Sequence, residues 1–161
     1  MKVSGSYTVP AEQERAYGLL QDPVVLAACI PGCEQLNKTG ENEYEMKMKV
    51  LISSIQGVFA GKVGIADQKF PESFRLIVEG NGKLGFMKGG GMLTLVPGEN
   101  STEVRYDGEV QVGGTIAAVG QRLLGTTAKF IIKRFFGKFS ELSQEKNEGR
   151  SEGKTAAPGA T

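Results

Sequence analysis

The side chains best suited to chemistry in this chain are two thiols, Cys29 and Cys33, separated by Ile30-Pro31-Gly32. Their Cys-x-x-x-Cys spacing is not the Cys-x-x-Cys of redox and zinc motifs, and no second cysteine pair or histidine exists to complete a metal site. The segment reads as a structural junction whose small, soft residues line an interior. In a reducing compartment both thiols stay free, near the mouth of any cavity they border. The absence of histidine is the stronger constraint, because acid-base work at neutral pH, Ser-His or Cys-His activation and most transition-metal sites rely on imidazole. Nineteen Lys and Arg against 18 Asp and Glu are spread along the chain without an acidic cluster. The expectation is a protein without catalytic residues and without a metal.

One further motif matches a pattern literally. Gly80-Asn81-Gly82-Lys83-Leu84-Gly85 has the Gly-x-Gly-x-x-Gly spacing of dinucleotide-binding loops and comes after a strand pattern. A phosphate loop needs a helix to begin there, so that its first amides meet the pyrophosphate. The next residues, Phe86 to Val96, read as another strand. The segment is therefore a hairpin, with Gly89 to Gly91 bending the second arm.

The elements that must position any site can be read from period and punctuation. Val3, Gly5, Tyr7 and Val9 alternate with polar residues as a first strand. Pro10 then opens one short helix and Asp22-Pro23 caps and opens a second, which Pro31-Gly32 stops. From Glu34 to Gly113 the period is two, with Tyr44, Met46, Met48, Val50 and Ile52 on one face of a strand and Glu43, Glu45, Lys47 and Lys49 on the other. Short turn signals separate the later runs, so the sheet is antiparallel and meandering. A long helix from about Ile116 to about Gln144 carries an apolar arc that includes Leu124, Ala128, Ile132, Phe135 and Phe139, opposite Arg122, Lys129 and Lys133. Phe130 and Phe136 lie outside the densest part of that arc, where they could gate a ligand. Gly120 and Gly125 weaken the helix and leave room beside it. Lys129, Lys133, Arg134 and Lys138, interleaved with phenylalanines, would suit an anionic membrane, although a solvated helix face explains them as well.

These elements make one α+β domain over residues 1–144, followed by a polar tail, 145–161, expected to be disordered. No leader or apolar run of membrane-spanning length stands out, which points to a cytoplasmic protein, and a net charge of +1 argues against nucleic acid as a partner. A curved sheet closed by one glycine-containing helix should enclose an apolar cavity. Its predicted lining is Tyr7, Cys29, Ile30, Tyr44, Met46, Met48, Phe59, Phe74, Phe86, Met92, Tyr106, Leu124 and Phe130, with tyrosine hydroxyls available to a ligand carbonyl.

The order strand, two short helices, further antiparallel strands, long C-terminal helix resembles the helix-grip fold of the START-like (SRPBCC) superfamily, with about seven strands wrapped around the last helix. Tyr7-Thr8-Val9-Pro10-Ala11, the run Asp22-Pro23-Val24-Val25-Leu26-Ala27-Ala28-Cys29-Ile30-Pro31-Gly32-Cys33-Glu34 and Gly113-Gly114 are similar to the carbon monoxide dehydrogenase G-subunit family. That resemblance implies a non-catalytic accessory protein of molybdenum-hydroxylase systems at the inner face of the cytoplasmic membrane. It also implies a hydrophobic ligand, quinone- or lipid-like, in the grip cavity, and no tightly held cofactor. A polyketide cyclase-like enzyme of the same fold and a pure adaptor with a filled core are the alternatives.

Overall fold

The first strand of the chain pairs with the last, so the sheet is ordered β1-β7-β6-β5-β4-β3-β2 and every neighbouring pair is antiparallel. This is seen in a computed structural model that describes residues 1–52 and 54–155, with side chains as far as residue 144. The elements are β1 Lys2–Val9, α1 Gln13–Leu19, α2 Pro23–Cys29, β2 Cys33–Gly40, β3 Glu43–Ile52, β4 Ile55–Lys69, β5 Ser73–Gly82, β6 Gly85–Gly98, β7 Ser101–Gly113, a 3-10 turn at Thr115–Val119 and α3 Gln121–Thr155. The α+β helix-grip architecture is as the sequence predicts. The predicted phosphate-loop look-alike is the β5–β6 hairpin, with Gly82 paired to Gly85 across a two-residue turn.

The long helix differs from expectation at its start. Gly120 has φ +94°, a conformation costly for other residues, so it separates the 3-10 turn from α3 instead of lying within one helix. Its companion Gly114, at φ +87°, lets the chain turn out of β7, and Ile116 N–H then donates to the Leu84 carbonyl at 2.7 Å. At the other end the helical backbone continues to Thr155, beyond the predicted end near Gln144. Disorder is expected over the whole of 145–161, of which only the backbone as far as 155 lies within the described residues.

Curvature comes from glycines paired across the concave face. Gly61 stands opposite Gly80 and Gly91 opposite Gly108. A Cβ on Gly61 would run into the Glu79 carbonyl, and one on Gly91 would sit 2.5 Å from the Asp107 carbonyl oxygen. Adjacent backbones thus approach more closely than a side chain permits, which lets strands of 13 to 15 residues bend.

Two apolar clusters fill the ends of the concave face. The larger joins Val9, Tyr17, Phe74, Leu95 and Val104 to Phe136 and Phe139 of α3. Within it, fully buried Thr102 donates to the Ala11 carbonyl at 2.7 Å, fixing the approach to α1 against β7. The smaller joins Ile52, Phe59 and Ile116, with Leu84, Leu123 and Leu124 against them.

The Cys29 to Cys33 junction behaves structurally. Asp22 caps α2 by accepting from Val24 N–H at 2.9 Å, with Pro23 in the first turn. Gly32, at φ +80°, lies against β3, where its carbonyl accepts from Lys49 N–H at 2.8 Å and a Cβ would meet the Lys49 carbonyl. Both cysteines are free thiols, Cys29 buried and Cys33 half-buried. Burial pushes the Cys29 thiol up to about 11, with nearby Lys138 pulling the other way. Cys33 is also raised by burial, offset by its 3.5 Å hydrogen bond to the Gln35 carbonyl.

This junction can be tested by substitution and by labelling. Gly32→Ala adds both a left-handed backbone penalty of about 1–3 kcal/mol and a backbone collision, so the urea midpoint should fall by the equivalent of at least about 2 kcal/mol. An unchanged midpoint would contradict the docking of this turn. Alkylation of the native protein near pH 8, followed by peptide mass analysis, should label Cys33 well before Cys29. Since the raised thiol favours the protonated folded state, stability should also decline as pH rises from about 9 through about 11.

Candidate functional site between the sheet and the C-terminal helix

Parity along the strands decides what faces α3. On β3, Tyr44, Met46, Met48 and Val50 point inward while Glu43, Glu45, Lys47 and Lys49 are exposed. Cross-strand pairing then places Phe59 on β4, Val78 on β5, Met87 on β6 and Tyr106 on β7 on the same concave side. Helix α3 packs chiefly along β1 and α2, with a lighter contact to β3. It also reaches the central strands through Phe136 and Phe139, which pack in one cluster with Phe74, Leu95 and Val104. Met46, Met48, Val78, Met87 and Val110 are only half-buried, although all belong to the inner face. The result is an apolar floor, partly wet, between two closed clusters.

The four tyrosines divide into two kinds. Tyr17 donates its hydroxyl to the Ser73 carbonyl at 3.0 Å, and Tyr44 donates to the Gln21 carbonyl at 2.6 Å. Burial raises the Tyr44 phenol above its usual range, and the negative charge of Asp22 adds to this. These hydroxyls are committed to the fold. Tyr7 and Tyr106 stack with Phe136 of α3, Tyr7 at 4.8 Å and 14° from Phe136, and the two tyrosine rings at 6.4 Å and 11°. Both are half-buried, and among the described residues neither hydroxyl has a hydrogen-bond partner. Burial, then the neighbouring Tyr7, raises Tyr106 above the usual phenol range, so it remains a neutral donor at physiological pH.

Of the residues predicted to line a cavity, Tyr7, Tyr106, Met46 and Met48 share the half-open floor. Tyr44, Phe59 and Phe74 face inward but are 3%, 5% and 1% exposed, within the closed clusters. Cys29 and half-buried Ile30 lie at the end of α2, and Leu124 is half-buried against the smaller cluster. Three placements differ from expectation. Phe86 and Met92 pair with Asn81 and Arg75, which puts both on the convex face, Phe86 43% exposed. Phe130 lies on the outer side of α3, 55% exposed, with the Arg134 guanidinium 5.6 Å from its ring centre. By contrast Phe136, expected at the margin of the arc, is buried by its contact with Tyr7. Inward Met87 was not anticipated, although Lys88 marks the outward parity that Phe86 and Met92 share.

Two surface clefts lie elsewhere. One of about 980 Å³ opens beside α1 and the β6–β7 turn, bordered by Glu12, Glu14, Asp22, Phe70 and Asn100. The other, about 420 Å³, crosses the convex face between Asn37, Glu45, Lys62 and Glu79. Of the floor residues, Met46 alone borders either of them. Among the described residues no group of three or more His, Cys, Asp or Glu side chains is placed to hold a metal. The concave floor thus offers apolar area and two phenol donors, while the ionised groups of β3 stay on the opposite face.

Comparison with known proteins agrees with this geometry. No curated protein sequence matches the chain. A conserved protein from Geobacillus kaustophilus shares 32% identity, with 90% of this chain and 96% of that one covered and a TM-score of 0.86. A START superfamily protein from Mycobacterium smegmatis is 18% identical over 88% of this chain and 98% of its own, TM-score 0.59. An aromatase/cyclase from a Streptomyces species is 12% identical over 100% and 99% of the two chains, TM-score 0.62. These last two share the fold. The sequence profile of the carbon monoxide dehydrogenase G-subunit (CoxG) family matches residues 5–143, nearly the whole described domain, and the chain therefore belongs to the CoxG family, within the START-like fold.

Proposed function

We propose that this protein binds an apolar, quinone- or lipid-like molecule between the sheet and α3 without chemically altering it. In this reading it serves as accessory protein to a membrane-associated molybdenum hydroxylase of the carbon monoxide dehydrogenase type. The observation that carries the binding role is the floor itself, whose inward Met46, Met48, Val78 and Met87 stay half-buried instead of closing into the core. A ligand that covers ~300 Å² of such surface gains about 7 kcal/mol at ~25 cal/mol per Å² before association costs, so a larger covered area or added hydrogen bonds must supply the rest of a tight complex. Methionine suits such a wall because its unbranched side chain adapts to ligand shape. Turnover would require a positioned acid, base or nucleophile. Among the described residues the floor supplies only phenols in that role, and the ionised groups of β3 point away from it. A cyclase-like enzyme is the competing reading, favoured by the fold shared with the Streptomyces aromatase/cyclase.

Peripheral contact with the inner face of the cytoplasmic membrane accords with the outer side of α3. Arg122, Lys129, Lys133, Arg134 and Lys138 are exposed there around Phe130, and no acidic residue precedes Glu141 in the helix. Among the described residues no helix is long and apolar enough to cross a membrane. Attraction of about 1 kcal/mol per basic residue near an anionic surface would supply a reversible contact.

Native mass spectrometry with organic extraction should reveal a co-purifying apolar molecule. Met48→Asp should lower its occupancy at least tenfold while far-ultraviolet circular dichroism stays unchanged, since a half-open wall tolerates polarity. Retention of ligand by folded Met48→Asp would argue against the site, and product formed from a cyclisable substrate would select the enzyme. In co-sedimentation, phosphatidylglycerol vesicles should retain the protein and phosphatidylcholine vesicles should not. Charge reversal at Lys129, Lys133 and Arg134 should release it.

A further inference from the structure

Gly5 and Tyr106 are directly opposite each other in the β1–β7 ladder, on the concave side. A Cβ on Gly5 would fall 2.6 Å from Tyr106 Oη and 2.9 Å from its Cζ, so the phenol occupies the volume that any other residue at position 5 would fill. The Tyr106 ring therefore leans from β7 across β1. There it lies nearly parallel to Tyr7, and Phe136 of α3 caps the pair. A buried or half-buried tyrosine ordinarily finds a partner for its hydroxyl, as Tyr17 and Tyr44 do here. The hydroxyls of Tyr7 and Tyr106 have no partner among the described residues and are not buried, so beside the apolar floor they are open to an acceptor.

We propose that Gly5 is a positioning residue: lacking a side chain, it lets the Tyr106 phenol lie over β1 beside Tyr7, where the two hydroxyls donate to a carbonyl oxygen on a planar apolar ligand. The grip then prefers a carbonyl-bearing ring to a bare hydrocarbon of the same shape. This rests on the ligand-binding reading above and adds to it the chemistry of selection. Raised by burial, Tyr106 stays protonated through the physiological range and so can donate but carries no charge that would favour a cation. A quinone fits, having flat faces and acceptor oxygens without acidic protons. A saturated acyl chain would use the floor and leave the donors unmet.

Equilibrium dialysis of the full chain against a fully substituted dimethylnaphthoquinone, which has no ring position free for thiol addition, and against dimethylnaphthalene separates the two contributions. The ratio of the two affinities is the readout. A hydrogen bond of about 0.5–1.5 kcal/mol corresponds to about two- to tenfold per hydroxyl. Tyr7→Phe and Tyr106→Phe keep the rings and should each lower the ratio by that factor, with hydrocarbon affinity unchanged. Gly5→Ala should lower the ratio as Tyr106→Phe does, and in the Tyr106→Phe background it should have no further effect, because it acts only through that hydroxyl. The collision is with the far end of a flexible side chain, and the tyrosine substitutions test the idea even if Gly5→Ala fails to fold. A ratio unchanged by loss of both hydroxyls overturns the proposal alone. Binding of neither compound overturns the ligand-binding reading and this proposal with it.

Discussion

Everything in this molecule depends on how closely neighbouring strands can approach on the concave side. At Gly61 opposite Gly80 and Gly91 opposite Gly108, the absence of Cβ atoms lets backbone meet backbone, and the long strands β4, β6 and β7 bend there. The bend carries β1 and β2 forward as rims on which helices can rest, α3 along β1 and α2 on β2. Between those rims Phe136 and Phe139 of α3 meet Phe74, Leu95 and Val104, while Met48 and Met87 further along the concave face stay half-buried.

Apolar closure at both ends gives the grip its rigidity. Phe136 and Phe139 lock one end of α3 to Tyr7, Phe74 and Leu95, and Leu123 and Leu124 meet Ile52, Phe59 and Ile116 at the other. The division among tyrosines tracks the same geography. Tyr17 and Tyr44 lie inside the larger cluster, where an unmet hydroxyl would cost about 1–3 kcal/mol, and each has a backbone carbonyl. Tyr7 and Tyr106 border the open region, where solvent or a ligand can meet the need.

Legibility in the sequence varies with charge. On β3 a charge at every second residue makes parity unmistakable, and alternation alone puts Tyr44, Met46 and Met48 on the correct face. On β6 three consecutive glycines erase alternation and Lys88 is the one charged marker, so the expectation for Phe86 and Met92 falls on the wrong side. In α3 the expected face is centred on aliphatic density, which leaves Phe136 at its margin; the true face is set by the aromatic partners waiting on β1 and β7. Gly120 reads as a weak helix residue because sequence does not show the sign of φ.

The pairing of β1 with β7 has a consequence for synthesis. Lys2 pairs with Glu109, so the first strand leaves the ribosome long before its sheet partner β7 exists. At ~5–20 residues per second that interval is on the order of 5–20 s. Throughout it the nascent β1 is an exposed edge of unpaired amides, a template for adhesion to other chains. Lys2, Ser4, Ser6 and Thr8, which fill one whole face of the strand with polar groups, and Gly5, which weakens its extended propensity, keep that waiting segment solvated. The glycine that makes room for a phenol in the finished grip thus also makes the unfinished chain less adhesive.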